Sequence, residues 1–334
     1  MRILIAGGAG YVGSALIPKL LERGYEIDVV DLFWFGNYLP PEVGIVNRDI
    51  FDLQVNDLKE YDQVVFLAGL SNDPMAEYSP SKNFVFNAAA PAYLCYIARQ
   101  AKVRRYIYAS SCSVYGYTEN ELFDEDRPVS SHYPYGISKL QGERAVLQLQ
   151  DDEFSVIALR KGTVCGHSPR MRFDLIINTM FKTAMKDRVI MVNNPAIWRP
   201  ILSIEDACMA YVRAIEANES ISGIFNIASG NHTVGEIADL VESTLMQELG
   251  FRPALEIRHI KDIRNYKVSI ERAKNILSFH PHHNVRSIVC NLISNLSKYG
   301  DWDNPQYYNI NVFRQLEAQA AKPATAAMLA GDDQ

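Results

Sequence analysis

Tyr135-Gly136-Ile137-Ser138-Lys139 sets a phenol and an amine at positions i and i+4, which share one face of a helix. Pro134 suits the first turn of that helix. A free phenol ionises near pH ~10, too high for an efficient base at neutral pH. A neighbouring ammonium, or a cationic nicotinamide ring, favours the phenolate and lowers that value. A tyrosine so tuned can take the proton of a hydroxyl while hydride leaves the same carbon. A second polar group, Ser110-Ser111-Cys112-Ser113-Val114-Tyr115-Gly116, directly follows an apolar run. A serine there can hydrogen-bond the same oxygen and relay the proton. Each segment alone also reads as ordinary structure: an exposed Tyr/Lys pair, and a serine-rich turn closing a strand.

The start of the chain supplies the missing hydride acceptor. Arg2-Ile3-Leu4-Ile5-Ala6 is an apolar run of the length of a buried parallel strand. Gly7-Gly8-Ala9-Gly10-Tyr11-Val12-Gly13 follows, and residues 14–21 then have helical spacing. Gly7 permits a tight turn. Gly10 lets backbone N–H groups approach a pyrophosphate. Gly13 lets the helix pack on the strand with its positive end toward the anion. Tyr11 and Val12 belong to the same loop. A second strand, Glu26-Ile27-Asp28-Val29-Val30, ends at Asp31, whose carboxylate can accept both ribose hydroxyls of an adenosine. Asp31 repels a 2′-phosphate, and Leu32-Phe33 offers no arginine to neutralise one, so the expected cofactor is NAD rather than NADP. The spacing is G-x-x-G-x-x-G rather than G-x-G-x-x-G, and alone it also fits a ligand-free turn.

These residues need a scaffold. The chain has 334 residues, 48% hydrophobic and 22% charged, with a formal charge of −6. That is an ordinary globular profile. The charge speaks against broad nucleic-acid or anionic-membrane binding, and no apolar run reaches membrane-spanning length. The N-terminus runs straight into a strand, so no signal peptide is expected. Cys95, Cys112, Cys165, Cys208 and Cys290 are widely spaced without a C-x-x-C pair, which fits reduced thiols in the cytoplasm and speaks against a zinc site. His280, His282 and His283 read as a solvated loop more than a metal site, and no metal is expected.

Strands are expected at 2–6, 26–31, 63–68, 105–110 and 155–160, with helices at 13–23, 81–101 and 135–150. Alternation of this kind implies an α/β fold with a parallel sheet covered on both faces. Such a sheet binds its ligand at the carboxyl ends of its strands, where every motif above lies. Beyond about residue 165 the pattern loosens. Helices are expected at 174–187 and 205–217, and a short strand at 223–228. Thr233 reads as an N-cap, with Glu236 completing a capping box. The expected organisation is a dinucleotide-binding domain at 1–167, with 197–228 returning to it. Residues 168–196 and 229–316 form a smaller α/β substrate lobe, and 317–334 an alanine-rich frayed tail.

The ordered set of motifs resembles the extended short-chain dehydrogenase/reductase superfamily, the NAD-dependent nucleotide-sugar epimerases and dehydratases. The resemblance covers about residues 1 to 315. It rests on the glycine motif with Asp31, Leu67-Ala68-Gly69, Ser-Ser-x-x-Val-Tyr-Gly and Tyr-x-x-x-Lys. Trp198-Arg199-Pro200, Asp206, Phe225-Asn226-Ile227 and Asp262-Ile263-Arg264-Asn265-Tyr266 extend it. It implies a Rossmann-type, doubly wound sheet. It also implies Ser111 and Tyr135 as catalytic residues and Lys139 as the lysine holding the nicotinamide ribose. Asp49 and Ile50 fall at the adenine, Leu67, Ala68 and Gly69 along the cofactor, and Asn87, near the active-site helix, is a further cofactor contact. Arg199 and Arg264 match arginines that grip a nucleotide diphosphate, for which guanidinium forks are suited. Ser71, Asn72, Ser113, Thr163 and Asn178 complete the expected substrate contacts.

Departures from the pattern narrow the reaction. The 4,6-dehydratases carry Asp-Glu after the catalytic Thr; here Cys112 and Ser113 stand there, which argues against dehydration. Reductase-epimerases place a cysteine where Ser113 stands, so Cys112 reads as packing rather than as a base. Lys161-Gly162-Thr163 replaces a Tyr-Phe-Asn-type segment and alters the nicotinamide-side contacts. The expected activity is inversion at C4 of a nucleoside-diphosphate sugar through a transient 4-keto intermediate, on retained NAD. The rivals are a 4-keto-sugar nucleotide reductase and a non-catalytic dinucleotide sensor. The resemblance further implies a homodimer through the helices at 81–101 and 135–150, with Tyr93, Tyr96 and Leu147 as outward apolar candidates; their simpler reading is burial within one chain.

Overall fold

Period-two alternation sorts the side chains of the first strand: Ile3 and Ile5 enter one core, Leu4 and Ala6 another, because successive residues of a strand face opposite sides. The computed structural model describes residues 1–260 and 264–329. Its central element is a seven-stranded sheet of β1 (Arg2–Ala6), β2 (Glu26–Asp31), β3 (Gly44–Asn47), β4 (Gln63–Phe66), β5 (Arg105–Ser111), β6 (Ser155–Lys161) and β7 (Gly223–Ile227). The spatial order is 3-2-1-4-5-6-7, and every pairing is parallel. The sheet is therefore of the doubly wound, Rossmann type expected from the sequence.

Helices cover both faces. On one side α1 (Tyr11–Leu21) packs through Leu16, Ile17 and Leu20 on Ile3, Ile5, Ile107 and Ile157. On the other, α2 (Ala90–Gln100) and α3 (Pro134–Leu147) cover Leu4, Val64, Phe66, Tyr106 and Val156. Each such buried aliphatic side chain contributes about 1.5–3 kcal/mol relative to exposure. Tyr93 and Leu147 pack against this second core, and the Tyr93 hydroxyl donates to Leu53 O at 2.7 Å. Of the three outward candidates only Tyr96 is largely exposed, at 52%.

The helix expected over 81–101 is interrupted. A short turn at Pro80–Phe84 leads into a wider turn, Val85–Ala89, before α2. Pro91 has no N–H to offer the Asn87 carbonyl one turn back, and that carbonyl accepts the Tyr108 hydroxyl instead, at 3.0 Å. β3 was not anticipated, being short and at the sheet edge.

α4 (Ile176–Asp187) enters a second core, whereas α5 (Ile204–Glu216) returns to the central sheet through Tyr211 and its neighbours. α6 (Val234–Leu249) and α7 (Val285–Ser294) complete a core with Phe173, Ile177, Phe181, Val241 and Ile288. α6 starts with the expected capping box: Thr233 Oγ accepts from Glu236 N at 3.1 Å, and Glu236 Oε2 from Thr233 N at 2.9 Å. The strands Thr163–Cys165, Trp198–Ser203 and Gly230–Thr233 form a small sheet between the lobes. α8 (Asn309–Leu329) runs through part of the stretch read above as a frayed tail. Asp262 and Ile263 of the resembling segment, and residues 330–334, lie outside the described residues. Among the described residues no helix is long and apolar enough to cross a membrane.

Candidate active site

All strand-end motifs open into one cavity of about 670 Å³ between the lobes. Gly7, Gly10, Tyr11, Val12, Gly13, Asp31, Asp49, Ile50, Leu67, Ala68 and Gly69 line it, as do Ser71, Asn72, Ser111, Ser113, Tyr135, Lys139, Thr163, Arg199 and Arg264. The glycine turn is sterically demanded. Gly7 has φ +77°, and a Cβ there would lie 2.4 Å from Ala68 N; a Cβ on Gly13 would lie 2.2 Å from Gly8 O. Gly10 caps α1 without a side-chain hydrogen bond, which leaves the helix's first N–H groups for an anion. Asp31 closes β2 with Oδ2 accepting from Ala9 N at 3.0 Å and Oδ1 from Phe33 N at 2.9 Å. Burial raises its pKa, and the Phe33 and Ala9 N–H groups oppose the rise.

At the other end Tyr135 and Lys139 project from the first turns of α3. The Ser111 hydroxyl lies close enough to Tyr135 to pull its pKa down, and Ser111 Oγ donates to Ser113 Oγ at 3.0 Å. Lys139 Nζ donates to Ala109 O at 3.1 Å and lies 6.0 Å from the centre of the Tyr135 ring. The expectation that the ammonium lowers the phenol's pKa does not hold. Burial, then Asp73, push it up, while the Ser111 hydrogen bond and Arg172 pull it down. Burial and the neighbouring Lys161 bring Lys139 down to about 7.

A buried ion pair fixes α3 beneath these groups. Glu143, one turn beyond Lys139, accepts from Arg160 Nη2 at 2.6 Å, Arg160 Nε at 2.9 Å and Ser110 Oγ at 2.6 Å. Both partners are almost fully buried, and the Tyr115 hydroxyl takes a further Arg160 N–H at 2.9 Å. Cys112 is packing: its thiol is buried against Arg160 O at 3.1 Å, and burial pushes its pKa up.

Two expected contacts do not reach the cavity. Asn178 is buried behind it, where its amide donates to Arg172 O at 2.8 Å and to the Tyr11 hydroxyl at 3.2 Å and accepts from Gly166 N at 2.9 Å. It braces the wall instead of facing a sugar, because its helix presents that side to the core. Asn87 sits under the Leu67-Ala68-Gly69 turn, donating to Leu70 O at 2.9 Å. Gly69 has φ +122° and a Cβ there would lie 2.2 Å from Asn87 Oδ1, so the asparagine supports the turn rather than the ligand.

Reading by motif also missed much of the cavity's charge. Lys161, Arg170, Arg172, Asp174 and Asn309 line it as well. Arg172 is bidentate on Asp174, at 2.8 and 3.0 Å, and Asp174 also accepts from Asn72 Nδ2 at 3.0 Å. Arg264 is paired with Asp73, and Arg199 donates to the carbonyls of Trp198, at 3.0 Å, and Arg264. The one available signal was Arg170-Met171-Arg172, two arginines among residues otherwise destined for a core.

The NAD dependent epimerase/dehydratase family model matches residues 3–228. The chain belongs to this family. Among its relatives, the UDP-glucose 4-epimerase of Corynebacterium glutamicum is 25% identical over 90% of this chain and 97% of that protein. UDP-glucuronic acid decarboxylase 1 of Danio rerio is 27% identical over 99% of this chain and 78% of its own. Among solved structures, MoeE5 in complex with UDP-glucuronic acid and NAD superimposes with a TM-score of 0.79 at 26% identity, covering 90% of this chain and 100% of that one. Family members here are NAD-dependent, and the cavity fits that cofactor: a glycine cradle with no room for Cβ atoms, an open helix terminus, and a carboxylate at the end of β2.

Proposed function

We propose that this chain is an NAD-dependent nucleotide-sugar epimerase that inverts C4 of a nucleoside-diphosphate sugar. The convergence of Tyr135, Ser111 and Lys139 on one cavity carries the reading. Bound NAD supplies the hydride acceptor and donor. Tyr135 takes the proton of the C4 hydroxyl and later returns it. Ser111 holds the same oxygen and links it to Ser113. Lys139 supplies positive charge under the phenol. Arg199 and Arg264 hold the diphosphate, so the sugar turns about a fixed tether and presents its other face. Remote binding of this kind keeps the keto intermediate from escaping. Cys112, buried and protonated, and Ser113 offer no acid/base pair for dehydration.

Tyr96, exposed on α2, supports assembly as a homodimer across that helix and α3, which sedimentation equilibrium tests. The activity test incubates the purified protein with UDP-glucose and UDP-glucuronate while product NMR and absorbance at 340 nm are followed. Inversion at C4 with no net change in NADH is expected. Stoichiometric consumption of NADH or NADPH would establish the reductase instead, and release of carbon dioxide from the uronate a decarboxylase.

A further inference from the structure

Arg170 is 2% exposed, yet its Nε has no hydrogen-bond partner. It lines the cavity, and its guanidinium lies 3.8 Å from the centre of the Phe35 ring. Nη2 donates to Asn309 Oδ1 at 2.5 Å and to Gln306 O at 3.3 Å. Its own backbone N–H reaches Ser14 Oγ, in the first turn of α1, at 3.3 Å. The main chain of the arginine is therefore anchored beside the first turns of α1. A buried guanidinium with an unused donor is costly unless an anion completes it, and burial together with Arg172 depresses its pKa to about 9. Arg170 and the open terminus of α1 line the same cavity, and the chemistry that satisfies an unused guanidinium donor and free helix N–H groups alike is a phosphate oxygen.

The second half of the device is α8. Asn309, its first residue, also donates from Nδ2 to Ser71 Oγ at 2.5 Å and from its backbone N–H to Asp174 Oδ2 at 3.4 Å. Four residues on, Phe313 is buried against Trp34 and Tyr78, with ring centres 5.8 and 5.9 Å apart. Glu317 pairs with Lys82 at 2.5 Å. The C-terminal helix is thus fastened to the loop after β2, which carries Trp34 and Phe35, and to the segment after β4.

We propose that Phe35, Arg170 and Asn309 form a clasp over the pyrophosphate of the bound dinucleotide, and that α8 holds this clasp closed so that the cofactor is retained between turnovers. The diphosphate of a nucleotide sugar has the same chemistry. The cavity lining shared with the glycine turn and with Asp31, whose carboxylate feels the Arg170 charge, assigns the clasp to the cofactor. The inference rests on the cofactor and not on the choice of epimerisation.

The experiment measures dinucleotide retention on the full-length protein. The bound cofactor is exchanged for NADH, excess is removed by gel filtration, and release is followed by the loss of NADH fluorescence on dilution into NAD. Arg170→Met and Asn309→Ala should both speed release, on the order of ten- to a hundredfold for the arginine, the range of one lost charge-assisted hydrogen bond. Arg170→Lys, which keeps the charge without the fork, should fall between. Circular dichroism confirms folding; should Arg170→Met fail to fold, Asn309→Ala and Phe35→Leu carry the test. The inference is overturned if folded variants release NADH within twofold of the parent. It is equally overturned if their affinity for UDP falls while NADH release is unchanged, since the diphosphate held would then be the substrate's. Tyr135→Phe, which should lose turnover and keep its cofactor, separates this outcome from failure of the epimerase reading.

Discussion

Ser111 and Lys161 are direct neighbours in register on the parallel strands β5 and β6, at the carboxyl edge of the sheet. This relationship puts a second amine beside Ser111. Lys161 lines the cavity with its Nζ 5.6 Å from the centre of the Tyr211 ring. Burial, then Arg172, bring it down to about 8. The cavity therefore carries two lysines that both hold their protons less tightly than an ordinary lysine.

Stability of the cofactor-free protein should rise with pH. Lys139 binds its proton less tightly folded, at about 7, than the ordinary lysine value of 10.5. The unfolded chain thus holds the extra proton between about pH 7 and the ordinary value, and stability rises across that window by at most about 1.4 kcal/mol per pH unit for one lysine. Thermal unfolding of the apoprotein between pH 7 and 9.5 measures this. Lys139→Met should flatten the rise, and an unchanged slope in that variant would show that Lys139 is not the group responsible.

Lys161→Met should lift the Lys139 pKa by removing its nearest like charge. If Lys139 must be charged, the alkaline limb of the kcat/KM profile moves to higher pH. A profile that stays in place would show that the two amines do not communicate.

Tyr135→Phe deletes the proposed proton-transfer group but leaves the Lys139 bond to Ala109 intact. A loss of about 10²- to 10⁴-fold in kcat is expected, with bound dinucleotide unchanged by absorbance after denaturation. Near-normal turnover would remove the phenol from the mechanism and favour a sensor.

Glu143→Ala leaves Arg160 charged and buried at 4% side-chain exposure. Breaking one partner of such a pair costs about 3–5 kcal/mol, read as a lower denaturation midpoint in urea. A loss below about 1 kcal/mol would mean that Arg160 finds another partner.

Gly13→Ala brings a methyl to 2.2 Å from the Gly8 carbonyl oxygen. α1 must then move off the glycine turn, at about 1–3 kcal/mol, and dinucleotide retention should fall with it. Retention equal to the parent's would show that the close packing of α1 is dispensable.

Short-range pattern was enough for the sheet and for the core of the site. Ser111, Tyr135 with Lys139, and the glycines with Asp31 are each set by spacing within one strand end, one helix turn or one loop, so their types and intervals reveal where they must stand. The sequence by itself determined the doubly wound architecture, the cofactor class and the meeting of Ser111, Tyr135 and Lys139 in one cavity. Tertiary structure alone decided the electrostatics around them. Arg170, Arg172 and Asn309 come from segments more than a hundred residues beyond α1, and their approach depends on how the second lobe folds back. Lys161 acquires its role from strand register, which no local interval encodes. Asn178 misled for the same reason: a polar residue on an amphipathic helix can face a pocket or brace a wall, and only the packing of Tyr11 and Gly166 against it chose the wall. Burial likewise raised the phenol's pKa where spacing alone suggested a drop, because desolvation depends on the whole enclosure and not on one neighbour.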